Sequence, residues 1–326
     1  MKTRGLVIGK FYPPHRGHKF LIDTAASAAD EVHVIVCERP GEDPPAALRA
    51  AWLQEIHPTA TVWRIDDRYD ADDSAVWAEN CRRLLGFTPD VVFTSEDYGD
   101  RFAACLGCKH VLVDRARVVV PVSGTAVRAN PLGCWDHLEP PVRGHYARRV
   151  VLIGAESTSK TTLANDLARV LDTLWVPEYG REYWERKMAR GEPNTWRSEE
   201  FAEIASEQCK REIAAARLCN RVLICDTDAF ATRVWHLRYM GGWSPVVDAI
   251  AAEHRRPDLY LVTDISTPFE QDGTRDGERI REWMHQTFVE QLTAHRRPFI
   301  ELKGPPSQRV AIAAAAVERI CRNDHS

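Results

Sequence analysis

The sequence predicts an α/β protein built as two tandem domains, each around a mainly parallel sheet. Three observations carry that reading. Short apolar runs recur and alternate with stretches long enough for helices of about 12 residues. The alternation stops between Pro131 and Arg149, a polar segment holding Pro140-Pro141, and then restarts. The 326 residues correspond to two domains at ~100–200 residues each.

In the first half, Gly5-Leu6-Val7-Ile8-Gly9 reads as a buried strand, followed by Pro and Gly punctuation and a helix from Gly17 to Ala29. Val32 to Val36 forms the second strand, with a helix over Ala46–Ile56 and a third strand over Thr61–Ile65. A helix over Ser74–Leu85 leads to a strand at Asp90–Thr94, a short helix, and a last strand at His110–Val113. Runs apolar at every position suit strands buried on both faces. The second half opens on Arg149-Val150-Val151-Leu152-Ile153-Gly154. Further strands are expected at Leu174–Val176, Val222–Cys225, Leu259–Val262 and Phe299–Leu302, with a long helix from Ser198 to Leu218. The domain boundary is placed near residue 147, giving domains 1–147 and 148–326.

Composition narrows the function. Lys plus Arg number 43 against 47 Asp plus Glu, a net charge of −4, which supplies no broad basic surface for nucleic acid or anionic membrane. Mean hydropathy is −0.36, and no apolar run approaches the ~20 residues of a membrane span. A cytoplasmic protein with neither nucleic-acid nor membrane partners is expected. The nine cysteines imply no disulfide framework. The Cys105-x-x-Cys108 pair lacks further ligands at zinc spacing and reads as two reduced thiols.

The first chemical constellation follows strand one: Gly9-Lys10-Phe11-Tyr12-Pro13-Pro14-His15-Arg16-Gly17-His18. Ligands of open parallel sheets bind beyond the carboxyl ends of strands, and a helix starting near Gly17 aims free N–H groups at that space. His15 and His18, three residues apart, fall on one side of a helical turn. Imidazoles so placed donate hydrogen bonds to phosphate oxygens as charge develops. The plainer readings are a zinc-binding pair or two surface rings.

This stretch resembles the G-x-F-x-P-x-H-x-G-H signature of the HIGH-motif nucleotidyltransferases. Their second signature, I-S-x-T-x-x-R, has its counterpart in Val122-Ser123-Gly124-Thr125-Ala126-Val127-Arg128. The resemblance implies a Rossmann-like domain in which His15, His18 and Arg128 are catalytic. Gly9, Lys10, Phe11, Ser123 and Thr125 would bind ATP. It also implies in-line attack of a substrate phosphate on the α-phosphorus of ATP, with magnesium on the triphosphate.

The second constellation is Gly154-Ala155-Glu156-Ser157-Thr158-Ser159-Lys160-Thr161-Thr162, between a strand and an apolar helix. It matches the phosphate-loop pattern G-x-x-x-x-G-K-[ST] except that Ser159 replaces the second glycine. Gly154, Glu156, Ser157, Thr158, Ser159, Thr161 and Thr162 are the ATP-binding candidates here. Lys160 is the catalytic cation, and the Thr161 hydroxyl would bind magnesium. Strand Leu223-Ile224-Cys225 ends in Asp226-Thr227-Asp228. Asp226 is a magnesium-shell candidate, and Asp228 a shell or acceptor contact. Glu178, after the second strand of this half, is placed to take a proton from a hydroxyl nucleophile. The charged loop Asp272–Gly277 is read as a lid in which Arg275 closes on the phosphates. Trp77 in the first domain, and Tyr179 and Tyr183 in the second, are the aromatic candidates for binding substrate, with Trp63, Trp175 and Trp184 left open.

Together the halves resemble the NadR-type bifunctional proteins of NAD biosynthesis. The resemblance rests on the two signatures, the loop at Gly154–Thr161, Pro177-Glu178-Tyr179 and Asp226-Thr227-Asp228. It implies a P-loop ribosylnicotinamide kinase domain that makes nicotinamide mononucleotide, and an adenylyltransferase domain that joins the mononucleotide to AMP, giving NAD. ATP is the co-substrate, magnesium the cofactor, and a homo-oligomer is plausible by resemblance alone. Ser159 departs from the family's loop glycine, and a working, if slower, kinase is expected. Strand one begins near residue 5, so the helix-turn-helix of some members is not expected. Two other readings compete. One is a nucleotidyltransferase for a different phosphorylated acceptor with a weakened kinase domain. The other is a non-catalytic nucleotide sensor built on the altered loop.

Overall fold

A computed structural model describes residues 2–68, 73–266 and 280–322. It divides into two compact units, Met1–Arg143 and Gly144–Ser326.

The first unit runs β1 (Arg4–Gly9), α1 (Arg16–Ala28), β2 (Glu31–Glu38), α2 (Ala46–Ile56), β3 (Thr61–Asp66), α3 (Ser74–Leu85), β4 (Val91–Thr94), α4 (Gly99–Leu106), β5 (Lys109–Leu112) and α5 (Gly124–Ala129). The sheet order is β3-β2-β1-β4-β5, with every pairing parallel. Alternate residues of each central strand feed opposite faces. Val7, Val34 and Phe93 pack with Leu21, Ile22 and Leu53. Leu6, Ile35 and Val92 pack with Trp77, Cys81 and Phe102 on the other side. The chain winds outward from β1 to β3 and returns on the far side of β1 as β4. The carboxyl ends of β1 and β4 therefore flank the switch point where such sheets bind ligands.

The segment where the alternation stops holds α6 (Pro140–Tyr146) and a short 3₁₀ turn at Trp135–His137. Pro140 and Pro141 sit in the first turn of α6, where a missing N–H costs nothing. The division between units falls inside α6.

The second unit runs β6 (Arg148–Ile153), α7 (Lys160–Val170), β7 (Trp175–Val176), α8 (Tyr179–Ala189), α9 (Ser198–Ala216), β8 (Val222–Asp226), α10 (Ala229–Met240), α11 (Pro245–Glu253), β9 (Leu259–Thr263), α12 (Ile280–Ala294), β10 (Phe299–Leu302) and α13 (Pro306–Arg322). Its order is β10-β9-β6-β8-β7, again all parallel. Val150, Leu152, Ile224 and Leu261 pack under Leu163 and Leu167 of α7 and Val317 of α13. The phosphate-loop strand β6 is central, with β8 beside it. The loop and the acids ending β8 thus emerge at the same edge of the sheet.

Candidate active sites

In the first unit, His15 is the N-cap of α1. Its Nδ1 accepts the N–H of Gly17 at 3.2 Å and of His18 at 3.4 Å, and His18 Nδ1 accepts the N–H of His15 at 3.3 Å. The two rings stack with centroids 3.7 Å apart. With both Nδ1 atoms accepting, each ring carries its proton on Nε2. Burial, then Arg117 and His137, lower the pKa of His15 to about 4. Burial, His15 and Arg117 hold His18 well below the ordinary value. Both are neutral donors at pH 7. A zinc pair is a poor fit, since the Nδ1 atoms are engaged, and no metal-holding cluster occurs among the described residues.

These rings open on a cavity of about 810 Å³ that Gly9, Lys10, Trp77, Thr125 and Arg128 also line. Arg128 Nη1 donates to the Tyr12 carbonyl at 2.5 Å, its Nη2 donates to Thr125 Oγ1 at 3.1 Å, and its guanidinium lies over the Tyr12 ring. Ser123 Oγ caps α5 by accepting the Ala126 N–H at 3.1 Å. A Cβ on Gly124 would stand 2.7 Å from the Tyr12 carbonyl oxygen, so the two signature segments meet only because that residue is glycine. Lys10 pairs with Asp67 at 3.6 Å, and Asp67 also pairs with Arg39 at 2.6 Å. The Phe11 side chain is buried in the core, its ring edge-on to His18. Trp77 is 8% exposed and belongs both to the core and to the cavity wall.

In the second unit, the loop wraps tightly against β9. A Cβ on Gly154 would stand 2.3 Å from Thr263 Oγ1, and the glycine adopts φ +153°. Ser159 sits at φ 63°, ψ 28°, in the left-handed region. This is the conformation that favours glycine, so the serine holds it at a cost of roughly 1–2 kcal/mol. Thr158 is turned inward, donating to the Ala155 carbonyl and meeting Thr263 Oγ1 at 2.7 Å. Lys160 Nζ donates to the Ala155 carbonyl at 2.8 Å. Thr161 and Thr162 are exposed at the start of α7, beyond Glu156 and Ser157 on the loop.

Thr161 Oγ1 donates to Asp226 Oδ2 at 2.6 Å, and the buried Asp226 Oδ1 has no hydrogen-bond partner among the described residues. Burial raises the pKa of both Asp226 and Glu178; the charge of Asp226 raises that of Glu178 further, while Lys160 and Arg181 lower both. A carboxylate oxygen without a partner beside a hydroxyl is a donor set that fits a hard divalent cation. Glu178 borders a second cavity, of about 510 Å³, whose wall is aromatic: Trp184, Trp196, Phe201, Trp235 and Tyr239.

A family model described as an AAA domain matches residues 149–309. Two curated relatives are each described as "Trifunctional NAD biosynthesis/regulator protein NadR", one from Escherichia coli (strain K12) and one from Salmonella typhimurium. Each is 29% identical, over 93% of this chain and 79% of its own length. The chain is homologous to NadR. A NadR crystal structure in complex with NR matches at a TM-score of 0.80 and 23% identity, over 98% of this chain and 96% of that one. The fold is therefore the NadR fold along the whole chain.

Against that NadR fold, the sequence candidates divide into three groups. His15, His18, Lys10, Thr125 and Arg128 come together on one cavity, and Lys160, Thr161, Glu178 and Asp226 gather at the phosphate loop. Asp228 is committed to the fold: Oδ1 caps α10 through the Ala231 N–H at 2.8 Å, and Oδ2 accepts from Tyr260 Oη at 2.7 Å. Tyr179 and Tyr183 form a buried cluster with Ile204 behind the second cavity. Arg275 and the rest of the Asp272–Gly277 loop lie outside the described residues. Of the aromatic wall, sequence reasoning kept Trp184 open and passed over Trp196, Phe201, Trp235 and Tyr239, although Trp235 and Tyr239 stand four apart on α10, the spacing of one helix face. It also passed over Arg117, whose position in a loop gave no periodic signal. Cys105 and Cys108 are free thiols.

Proposed function

We propose that this chain makes NAD from nicotinamide riboside in two ATP-dependent steps, one in each unit. The observation that carries the reading is the paired provision for ATP. One unit holds two neutral Nε2–H histidines beside Arg128, and the other a phosphate loop facing an aromatic pocket. Both curated NadR relatives are named for NAD biosynthesis. A relative from Methanoculleus marisnigri, named nicotinamide-nucleotide adenylyltransferase, is 28% identical over 43% of this chain and 86% of its own length.

In the second unit, the loop N–H groups and Lys160 hold the ATP phosphates. The aromatic cavity takes the riboside, with Trp184, Trp196 and Trp235 offering faces to the pyridinium. Its 5′-hydroxyl attacks the γ-phosphorus, the new O–P bond forms, and the bond to the ADP oxygen breaks. Glu178, whose raised pKa suits it to accept a proton, takes the hydroxyl proton. Thr161 and Asp226 would hold a magnesium ion, which would supply charge neutralisation on the phosphates.

In the first unit, a phosphate oxygen of nicotinamide mononucleotide attacks the α-phosphorus of ATP. The bond to pyrophosphate breaks, and no covalent enzyme intermediate is needed. His15 and His18 donate Nε2–H to phosphate oxygens as charge develops, and Arg128 and Lys10 hold the triphosphate. The test is a chromatographic assay with nicotinamide riboside, ATP and magnesium. NAD is the expected product. Mononucleotide alone would remove the adenylyl acceptor from the reading, and no conversion of either substrate would favour the sensor.

A further inference from the structure

We propose that Arg117 is a catalytic residue of the first unit, binding the ATP triphosphate beside His15 and His18. The assignment rests on the reading of that unit as an adenylyltransferase.

Arg117 lies on the wall of the 810 Å³ cavity, together with Lys10, His15, His18 and Arg128. Its charge reaches both buried imidazoles and helps to keep them neutral. The histidines therefore bring hydrogen-bond donors to the cavity but no charge. The positive charge that a triphosphate and a leaving pyrophosphate require is offered by Lys10, Arg39, Arg117 and Arg128, and Arg39 is held by Asp67 at 2.6 Å. Lys10 is partly neutralised by Asp67, 3.6 Å away. Among the described residues, the carboxylate paired with Arg117 is Glu96, at 3.5 Å with both side chains about half exposed. Pairs of that kind contribute little, and they leave the guanidinium available to a phosphate, which it can grip with two parallel N–H groups.

The loop that carries Arg117 is held firmly for its length. The Asp114 carboxylate accepts the successive N–H groups of Val118, Val119 and Val120 at 2.8, 3.2 and 3.1 Å. The Arg117 N–H donates to the Asp114 carbonyl at 2.8 Å. Asp114 and Arg117 both adopt positive φ, 43° and 52°. A non-glycine backbone persists there only where its surroundings over-determine it, which is a feature of functional sites. Asp114 acts through Arg117 and is a positioning residue.

The experiment uses the full chain carrying Lys160→Ala, so that the phosphate-loop site is silenced. It compares this protein with the same chain also carrying Arg117→Ala or Arg117→Lys. Calorimetric titration with α,β-methylene-ATP and magnesium is expected to show at least tenfold weaker binding for the alanine variant, with lysine intermediate. Adenylyl transfer to nicotinamide mononucleotide should fall about 10²-fold for alanine, the scale of a lost transition-state donor. Analogue binding within twofold of the parent in the alanine variant would overturn the assignment. If the parent binds the analogue but makes no NAD, the choice of acceptor falls, and the binding comparison still decides the role of Arg117. Thermal melting of all variants checks that each is folded.

Discussion

Arg238 of α10 donates to Glu156 of the phosphate loop across 2.7 Å, with both side chains at least nine-tenths buried. The same guanidinium lies over the rings of Trp235 and Tyr239, with centroids at 5.3 and 4.7 Å. One cation thus ties the ATP loop to the aromatic wall of the neighbouring cavity. Removing one partner of a buried ion pair leaves an uncompensated charge and costs about 3–5 kcal/mol. Arg238→Met is therefore expected to lower stability by that order and to raise the KM for nicotinamide riboside. Glu156→Gln in the same chain should recover part of the stability, as denaturant titration of the single and double variants would reveal.

Ser159 holds a left-handed backbone where the loop pattern has glycine. Ser159→Gly removes the strain but frees the unfolded chain, two effects of about 1 kcal/mol each and opposite sign. Stability should change by no more than about 1 kcal/mol, and kinase turnover should be kept or increased. Ser159→Val, β-branched at positive φ, should lose at least tenfold in kinase kcat/KM. A valine variant as fast as the natural protein would mean that the loop changes conformation when ATP binds.

Asp226 offers a buried oxygen without a partner among the described residues, beside the Thr161 hydroxyl. An ATP analogue with magnesium is expected to raise the melting temperature of the natural chain, and Asp226→Asn should abolish the magnesium-dependent part of that rise. It should also reduce phosphoryl transfer by at least 10²-fold, on the scale of a lost transition-state contact. Adenylyl transfer to the mononucleotide should be unaffected.

The first unit carries an acid-sensitive element in His15. Its folded pKa, about 4, lies below the unfolded value of about 6.5. The unfolded chain therefore binds the proton first. The stabilisation is complete above pH 6.5 and is lost as pH falls toward 4, by up to about 3 kcal/mol. His15→Asn keeps an N-cap acceptor, so its melting temperature should depend less on pH across pH 4–6.5 while adenylyl transfer falls. An unchanged pH dependence would assign the acid sensitivity elsewhere.

Glu178 is the proposed base of the kinase step, and burial together with Asp226 raises its pKa above the ordinary carboxylate range. A raised pKa keeps the carboxyl protonated, and so unable to accept the hydroxyl proton, to a higher pH than usual. The acid limb of kinase kcat/KM for the riboside should accordingly lie above pH 4.5. Glu178→Gln should remove that limb and lower kcat by about 10²-fold or more.

The strands and the phosphate-binding turns were legible in the sequence because their signals are local. An apolar run buried on both faces reads the same in any context, and so does a glycine-punctuated turn between a strand and a helix. The helices α10 and α11 and the prolines of α6 were not legible. Their apolar residues follow no clean helical period, since α10 is buried on most sides.

By itself the sequence determined two α/β units, each with its phosphate-binding segment at a strand end, because strand burial and backbone turn chemistry are set by neighbours along the chain. Tertiary structure alone decided the rest. It turned Asp228 and the two tyrosines into the core, and it made Trp196, Trp235 and Tyr239 the cavity wall. It also brought Arg117 to the histidines and placed a serine where the loop needs a left-handed residue. Each of these depends on which face of an element meets which neighbour, and that is fixed by packing between segments far apart in sequence.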